Sequence, residues 1–336
     1  MYSFLLPELS AQRQWGGNRA FSPIRVHLCH AQLLGSSEKD EYGPLMLASM
    51  TDLGQFHTDA YLSTLGQFTE YFPTPKQREV DYELLRDKLQ HFNLLPESPS
   101  GLGVEDGLEY ARMVVTGTLR CCQLLTSKRV QFAANLYGGQ SQAQRSCAHN
   151  GSLVNDSVLA CLFLLQHYDR VLYVSLDDLH GFGLEEAFYA SEQVVTLSLH
   201  SSQERTGLEL DVGVGRGENT KFNLPLPSDF DSSSDRQVLL EKLVPLLQNK
   251  FSPGVLVFVC GGRREITPGV VRALKQTKLP VLVLGGTSAD EELASRVYSH
   301  MIKEFNLDSN NDRSESLPVL SQRAQELESR VQSRLQ

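Results

Sequence analysis

The sequence predicts an α/β fold, with a single open parallel β-sheet, helices on both of its faces, and a short helical tail at the C-terminus. Three observations predict it. Short runs of Val and Leu continue without polar alternation, which is typical of strands that are covered on both faces of a sheet. Helical patterns lie between these runs, as in a parallel sheet with right-handed crossovers. A polar stretch then separates the last segment from the rest of the chain.

Five segments have the apolar character of buried strands. They are residues 130–136, 171–176, 194–199, 255–260 and 280–284. Helices are predicted between and after these strands, at residues 152–167, 234–250, 269–277 and 289–305. The first hundred residues are predicted to be mostly helical, with candidates at 25–34, 45–53 and 80–92. Residues 93–107 are rich in Pro, Ser and Gly, and they predict a long loop at one rim of the domain.

The C-terminal part of the chain divides into a polar linker and an amphipathic helix. We expect one domain over residues 1–305, the linker over 306–316 and the helix over 317–336. The apolar residues of this helix have the spacing of a heptad seam: Leu320, Ala324, Leu327 and Val331. Two heptads are too short to be stable alone in water, so the seam is expected to pack on another helix, either of the same domain or of a partner. We assign the four residues to partner binding and expect Asp at Leu320 and Leu327 to release the partner from a folded domain.

Composition and charge exclude several classes of protein. The 336 residues are 41% hydrophobic, enough for a sizeable core, and the net charge of −9 predicts no direct attraction to nucleic acid or to an anionic membrane. No apolar run approaches the roughly 20 residues that span a bilayer. The N-terminal segment lacks the basic region and cleavage pattern of a secretory signal, and the six Cys form no CxxC pair. We therefore expect an intracellular protein with reduced thiols, in the nucleus, the cytoplasm or both.

Residues 170–200, RVLYVSLDDLHGFGLEEAFYASEQVVTLSLH, are the most informative stretch of the chain, and they predict two buried strands around a loop and a helix. This stretch resembles the catalytic core of class I histone deacetylases. The resemblance extends from about residue 15 to about residue 305. Its other segments are PIRVHLCHAQLL at 23–34, FHTDAYL at 56–62, QHFNLLPESP at 90–99, NDSVL at 155–159, DVGVGRG at 211–217 and VLVLGG at 281–286. It implies the arginase–deacetylase type of fold.

The resemblance also implies the positions of the catalytic groups. A zinc-dependent amidohydrolase needs three protein ligands, a general base for the zinc-bound water and a donor to the developing oxyanion. The base of the family lies in a His pair after a Gly-Gly turn, and here these two positions are Ser141 and Gln142. Neither side chain is a base at neutral pH. The Asp residues that orient the pair correspond to Ser175 and Phe182.

Two of the three metal ligands and the oxyanion donor are replaced as well, while Asp177 keeps the residue type of its ligand position. The family's ligand positions correspond to Asp177, Leu179 and Arg263, and its catalytic Tyr corresponds to Ala289. Leucine has no donor atom, and Arg places a permanent cation where a dication would bind. We therefore expect no catalytic residues and no catalytic zinc. We expect an ion pair between Asp177 and Arg263 instead, with Leu179 and Phe182 packed around it.

Two other sites are considered at this end of the sheet. Asp177, Ser198 and Leu199 match part of a site in which the family binds a structural monovalent cation, and a hydrogen-bonded buried serine is the alternative for Ser198. A relocated metal site is a second alternative, and its candidate ligands are Asp178, His180, His149 and Cys147. The aromatic walls of the family's acyl-lysine tunnel correspond to Gly151 and to residues 201–208, where the chain is shorter.

The function that follows is that of a catalytically inactive histone-deacetylase-like protein. We expect a scaffold or regulatory subunit of a nuclear, chromatin-modifying complex, without a cofactor unless the structural cation is present. Its partners would be protein subunits, such as an active deacetylase or a chromatin-complex component, and neither membrane nor nucleic acid. One alternative is an active zinc-dependent lysine deacetylase with rearranged ligands. Another is a non-catalytic module that binds acyl-lysine or a histone tail.

Overall fold

The residues that the structure describes form one sheet of six parallel strands. The computed structural model describes residues 47–70, 86–94, 107–135, 137–226, 233–261, 268–286 and 322–336. The strands are β1 (Phe132–Asn135), β2 (Val171–Ser175), β3 (Val194–Ser201), β4 (Lys221–Leu226), β5 (Val255–Val259) and β6 (Val281–Leu284). Their order in the sheet is β1-β6-β5-β2-β3-β4, so that β2 is central and β4 lies at an edge. The predicted open parallel sheet is confirmed.

Strand β4 was not predicted, although the other five strands were. Its sequence, KFNLPL, contains Lys221 and Pro225, which interrupt the apolar run that identified the others. An edge strand tolerates both residue types, because one of its sides makes no ladder hydrogen bonds. Among the described strands, β4 pairs with β3 alone, from Thr196 beside Lys221 to Ser201 beside Leu226.

The helices follow the predicted alternation with strands. They are α1 (Met50–Leu53), α2 (Asp59–Glu70), α3 (Gly107–Thr126), α4 (Asp156–Leu164), α5 (Phe182–Ala187), α6 (Ser233–Phe251), α7 (Pro268–Gln276) and α8 (Gln322–Leu335). Residues 86–91 are also helical, within the predicted 80–92. The predicted helices at 25–34 and 289–305 lie outside the described residues. No helix in the described part of the chain is long and apolar enough to span a membrane.

Helix α3, with 20 residues, was missed because Thr116, Gly117 and Thr118 interrupt its pattern with weak helix formers. The structure gives the reason for the glycine. A Cβ at Gly117 would lie 2.8 Å from the side-chain nitrogen of Asn135, at the end of β1. The residues that weaken the local helical signal therefore allow α3 to approach the sheet closely.

Helices cover both faces of the sheet, as predicted. Alternate residues of each strand point to opposite faces. In β2, Leu172 and Val174 belong to one core, which also contains side chains of α6, α7 and α8. Val171 and Tyr173 belong to the other, with side chains of α3, α4 and α5. The near-continuous Val and Leu runs are thus explained by burial on both sides.

The C-terminal helix α8 packs on the chain's own domain. Leu327 and Val331 are buried in the same core as α6, and Lys242 of α6 pairs with Glu328 at 2.7 Å. The assignment of Leu327 and Val331 to partner binding is therefore wrong, because α6 already covers their side of the helix. Leu320 and the side chain of Ala324 lie outside what the structure describes. Helix α8 is described from Gln322 on, and the first residues of the predicted helix, 317–321, lie outside the described residues.

His57 joins the N-terminal helices to the loop before α4. Its Nε2 accepts the main-chain N–H of Asn155 at 3.0 Å, so the ring proton lies on Nδ1, 3.3 Å from the carbonyl oxygen of Arg145. Burial lowers the pKa of His57 to about 4. Protonation of Nε2 would bring its N–H against the N–H of Asn155, and two donors cannot form a hydrogen bond. The folded chain therefore favours the neutral ring.

Acid is expected to destabilise the fold through His57. Between pH 6.5 and 4 the unfolded chain carries a proton on this residue that the folded chain does not, so the free energy of unfolding falls as the pH falls. The loss across this range is about 3 kcal/mol, at 1.36 kcal/mol per pKa unit. Urea unfolding of the wild type and of His57→Gln between pH 7 and pH 4 measures it, since Gln does not titrate. Burial raises the pKa of the neighbouring Asp156 to about 6, but this contribution is common to both proteins and cancels. Parallel pH profiles of the two proteins would contradict the assignment.

Candidate functional site

The candidate site lies at the carboxyl end of the sheet, where ligands bind in open parallel α/β folds. Three glycine turns meet there around the loop that follows β2. A Cβ at Gly139, after β1, would lie 2.5 Å from the nitrogen of Gly286, after β6. A Cβ at Gly286 would lie 2.7 Å from Oδ2 of Asp177, and one at Gly261, after β5, would lie 2.8 Å from the Asp177 Cα. All three glycines have positive φ angles, between +69° and +96°, and close contacts in addition.

Asp177 is at the centre of these turns and is fully buried. Its main-chain N–H donates to Oγ of Ser175 at 3.2 Å, and its Oδ1 accepts the N–H of Leu179 at 3.4 Å. The carboxylate thus helps to fix its own loop. Arg263 and Ala289 lie outside the described residues, and the Asp177–Arg263 ion pair stays a prediction.

Ser141 and Gln142, which the sequence resemblance aligns with the general base, are buried next to the same loop. The side-chain amide of Gln142 donates to the main-chain oxygen of His180. The main-chain oxygen of Ser141 accepts the N–H of Leu184 in α5 at 3.1 Å. The described structure therefore places at this position an amide that holds two loops together, and neither side chain takes up a proton from water near neutral pH.

Leu179 and Phe182 are half-buried at the mouth of this region. The ring of Phe182 lies 6.0 Å from that of His149, measured between centroids. Of the residues that the sequence resemblance aligns with the metal ligands, two are described: Asp177 has a carboxylate that already accepts an amide N–H, and Leu179 has only hydrocarbon. A hydrolytic zinc takes three protein donors. The described residues at these positions do not fit it.

A cluster of buried polar side chains connects the loop after β2 with α5 and β4. Nε2 of His180 lies 3.3 Å from Oε2 of Glu185, and Nδ1 lies 3.1 Å from Oγ1 of Thr206. The same oxygen of Glu185 accepts the side-chain N–H of Asn223 at 2.8 Å. Glu185 and Asn223 were not singled out in the sequence, although Glu185 is part of the GLEEAFY segment that carries the family resemblance.

The relocated metal site is not assembled. The ring nitrogens of His180 are in polar contact with the side chains of Glu185 and Thr206. The thiol of Cys147 donates to the side-chain oxygen of Gln144 at 3.1 Å. In the part of the chain that the structure describes, no group of three or more His, Cys, Asp or Glu residues is arranged to hold a metal ion.

Ser198, at the candidate cation site, is a buried and hydrogen-bonded serine. Nε2 of His200 lies 3.0 Å from the main-chain oxygen of Gly207, so this nitrogen carries the ring proton. Nδ1 of His200 then accepts the hydroxyl proton of Ser198 across 3.0 Å. Ser198 is thus a buried serine hydrogen-bonded to a histidine, which is the alternative to cation binding. A cation held by Asp177, Ser198 and Leu199 stays a prediction.

The chain matches known proteins over most of its length. The histone deacetylase domain family matches residues 19–264. Histone deacetylase RPD3 of Saccharomyces cerevisiae is 30% identical over 291 residues, which cover 81% of this chain and 64% of the yeast protein. Type-1 histone deacetylase 1 of Dictyostelium discoideum and histone deacetylase 1 of Homo sapiens are also 30% identical over 81% of this chain, covering 56% and 58% of those proteins. The match thus spans about three fifths of the length of these relatives.

The match includes the sheet up to β5 and every described residue of the candidate site except those after β6. With a domain match over more than half of the chain and relatives at 30% identity, the chain belongs to the histone deacetylase family.

Proposed function

We propose that this chain is a catalytically inactive member of the histone deacetylase family that serves as a scaffold or regulatory subunit of a protein complex. The observation that carries the proposal is the buried amide of Gln142, which is hydrogen-bonded to the main chain of His180 at the position of the general base. Hydrolysis of an amide needs a group that removes a proton from the attacking water. Ser141 and Gln142 do not supply it.

The positions around the base support the same conclusion. Ser175 replaces an orienting Asp, and in the structure its hydroxyl accepts an N–H from the neighbouring loop rather than orienting a histidine. Leu179 offers no donor to a metal. In the sequence, Arg263 and Ala289 occupy the positions of another ligand and of the oxyanion donor. The base, two of the three metal ligands and the oxyanion donor are therefore replaced together.

The scaffold role is supported by what the chain keeps. The sheet, both of its cores and the close glycine turns at its carboxyl end are kept. The relatives are named for their action on histones. We therefore place this chain in a chromatin-modifying complex of the nucleus, bound to an active deacetylase or to another subunit.

The catalytic part of the proposal is tested by hydrolysis of an acetylated histone peptide, with zinc added to the purified protein. We expect no turnover above the buffer blank. An active histone deacetylase assayed in parallel is the positive control. Turnover that disappears in Asp177→Asn would contradict the proposal and favour an active enzyme with rearranged ligands. The same peptide in a binding titration tests the acyl-lysine reader, for which we expect no saturable binding.

The complex is tested by size-exclusion chromatography of native extracts. The chain has a mass of 37.5 kDa, and we expect it to elute at a much larger size together with histone-modifying subunits identified by mass spectrometry. The purified recombinant chain, run on the same column, marks the elution position without partners. Elution of the native protein at that position would contradict the scaffold role.

A further inference from the structure

A buried lysine lies at the amino end of the sheet, away from the candidate site. Lys221 is the first residue of β4 and is fully buried. No other lysine among the described residues is buried. Its Nζ lies 2.6 Å from the main-chain oxygen of Val194, 3.1 Å from that of Ser191 and 2.9 Å from Oγ1 of Thr220. The three N–H donors of the ammonium group therefore match three oxygen acceptors.

The oxygens around Nζ are arranged for a cation. The hydroxyl of Thr220 donates to the main-chain oxygen of Gly217 at 2.6 Å, which leaves its lone pairs toward the ammonium. Among the described residues no carboxylate lies within 4 Å of Nζ, so the contacts are with neutral oxygens alone. Burial lowers the pKa of Lys221 to about 8, against the opposing effects of Glu185 and Cys161, and the group stays mostly protonated at pH 7.

Neutral oxygens that replace a hydration shell are the usual ligands of K⁺ in proteins. An ammonium ion has the same charge as K⁺ and nearly the same size. We propose that Ser191, Val194 and Thr220 form a monovalent-cation cradle that the chain fills with its own ammonium group, Lys221, so that this corner of the sheet is held together without a bound metal ion. Removal of the side chain should leave a site that takes K⁺ or NH₄⁺.

The position of the cradle explains what the ammonium group stabilises. Ser191 precedes β3, Val194 begins it, and Lys221 begins the edge strand β4. The side chain thus joins the start of β4 to the turn before β3, the strand with which β4 pairs. On the outer side, Arg334 of α8 donates to the main-chain oxygen of Lys221 at 2.7 Å and lies 4.4 Å above the ring of Phe222.

Thermal unfolding in NaCl, KCl and NH₄Cl at constant ionic strength tests the proposal. Lys221→Ala should unfold at a lower temperature than the wild type in NaCl, and KCl or NH₄Cl should restore a large part of the difference. Lys221→Met is the matched control, since its side chain fills the cavity without a charge, and its response to K⁺ should be no larger than that of the wild type. Equal responses of Lys221→Ala and the wild type would overturn the proposal, as would a Lys221→Ala variant as stable as the wild type in NaCl.

A measurement on the wild type applies even where the Ala and Met variants do not fold. In protein labelled with ¹⁵N-lysine, a buried and fully bonded ammonium gives a slowly exchanging ¹H–¹⁵N signal at neutral pH. We expect such a signal, and we expect Lys221→Arg to lack it. A wild-type spectrum without a slowly exchanging ammonium signal would overturn the proposal.

Discussion

Leu327→Asp is expected to lower the free energy of unfolding by about 3–5 kcal/mol, because it removes a buried leucine from the core and puts a carboxylate in its place. Leu327 has no exposed surface, and it belongs to the core formed with α6 and α7. The carboxylate would be accommodated only if α8 left the domain. Limited proteolysis should therefore cleave residues 322–335 of the variant much faster than those of the wild type.

Ser329→Asp is the matched control, because it adds the same charge to an exposed position of the same helix. Its free energy of unfolding, measured in urea, should stay within about 0.5 kcal/mol of the wild type. If Leu327→Asp behaved like Ser329→Asp and α8 stayed resistant to protease, the packing of α8 on its own domain would be refuted. The seam would then be free to bind a partner, as the heptad spacing had indicated.

Gly183→Ala is expected to destabilise the protein by about 3 kcal/mol or more, since a small side chain would overlap with main-chain atoms. A Cβ at Gly183 would meet the main-chain oxygen of Ala143 and would lie 2.7 Å from that of Gln142. These oxygens belong to the loop that carries Ser141 and Gln142, and neither can turn away as a side chain would. Relief of the overlap would separate α5 from this loop.

Gly66→Ala provides the comparison within a helix. A Cβ there has its nearest neighbour at 3.6 Å, an ordinary contact, and Ala stabilises a helix relative to Gly by up to about 1 kcal/mol. Urea unfolding should thus give changes of opposite sign for the two variants. A Gly183→Ala protein as stable as the wild type would show that the loop with Ser141 and Gln142 is not packed tightly on α5.

The sequence predicted those parts of the fold that have a local signal. Strand β2 was identified because all five of its residues are buried, so its apolar run is unbroken. Strand β4 and helix α3 were missed for the opposite reason, since Lys221 and Gly117 oppose the local pattern and are explained only by distant contacts, with Val194 and with Asn135. The heptad spacing of the C-terminal segment correctly predicted a helix. The spacing did not predict which surface this helix packs on, because periodicity alone does not identify the surface that covers an apolar seam.

The candidate site was predictable where residue type alone decides the chemistry. Leucine at position 179 and Gln at 142 exclude a ligand and a base whatever their surroundings. Their hydrogen bonds were not predictable, because the amide of Gln142 bonds to a residue 38 positions away. Nor does a sequence reveal a buried ammonium, since lysine is almost never fully buried unless it is paired, and its oxygen partners belong to the main chain. Such contacts depend on how the loops meet at the ends of the sheet.

The zinc content of the purified protein tests our proposal that this site no longer binds a hydrolytic metal. The protein is dialysed first against zinc and then against metal-free buffer, and its zinc is counted by inductively coupled plasma mass spectrometry. A variant that combines Leu179→His with Arg263→Asp restores the family's ligand types beside Asp177 and is the matched control. We predict far less than stoichiometric zinc in the wild type, a melting temperature unchanged by EDTA, and a clear gain of zinc in the variant. Stoichiometric zinc in the wild type that is lost in Asp177→Asn would contradict the proposal.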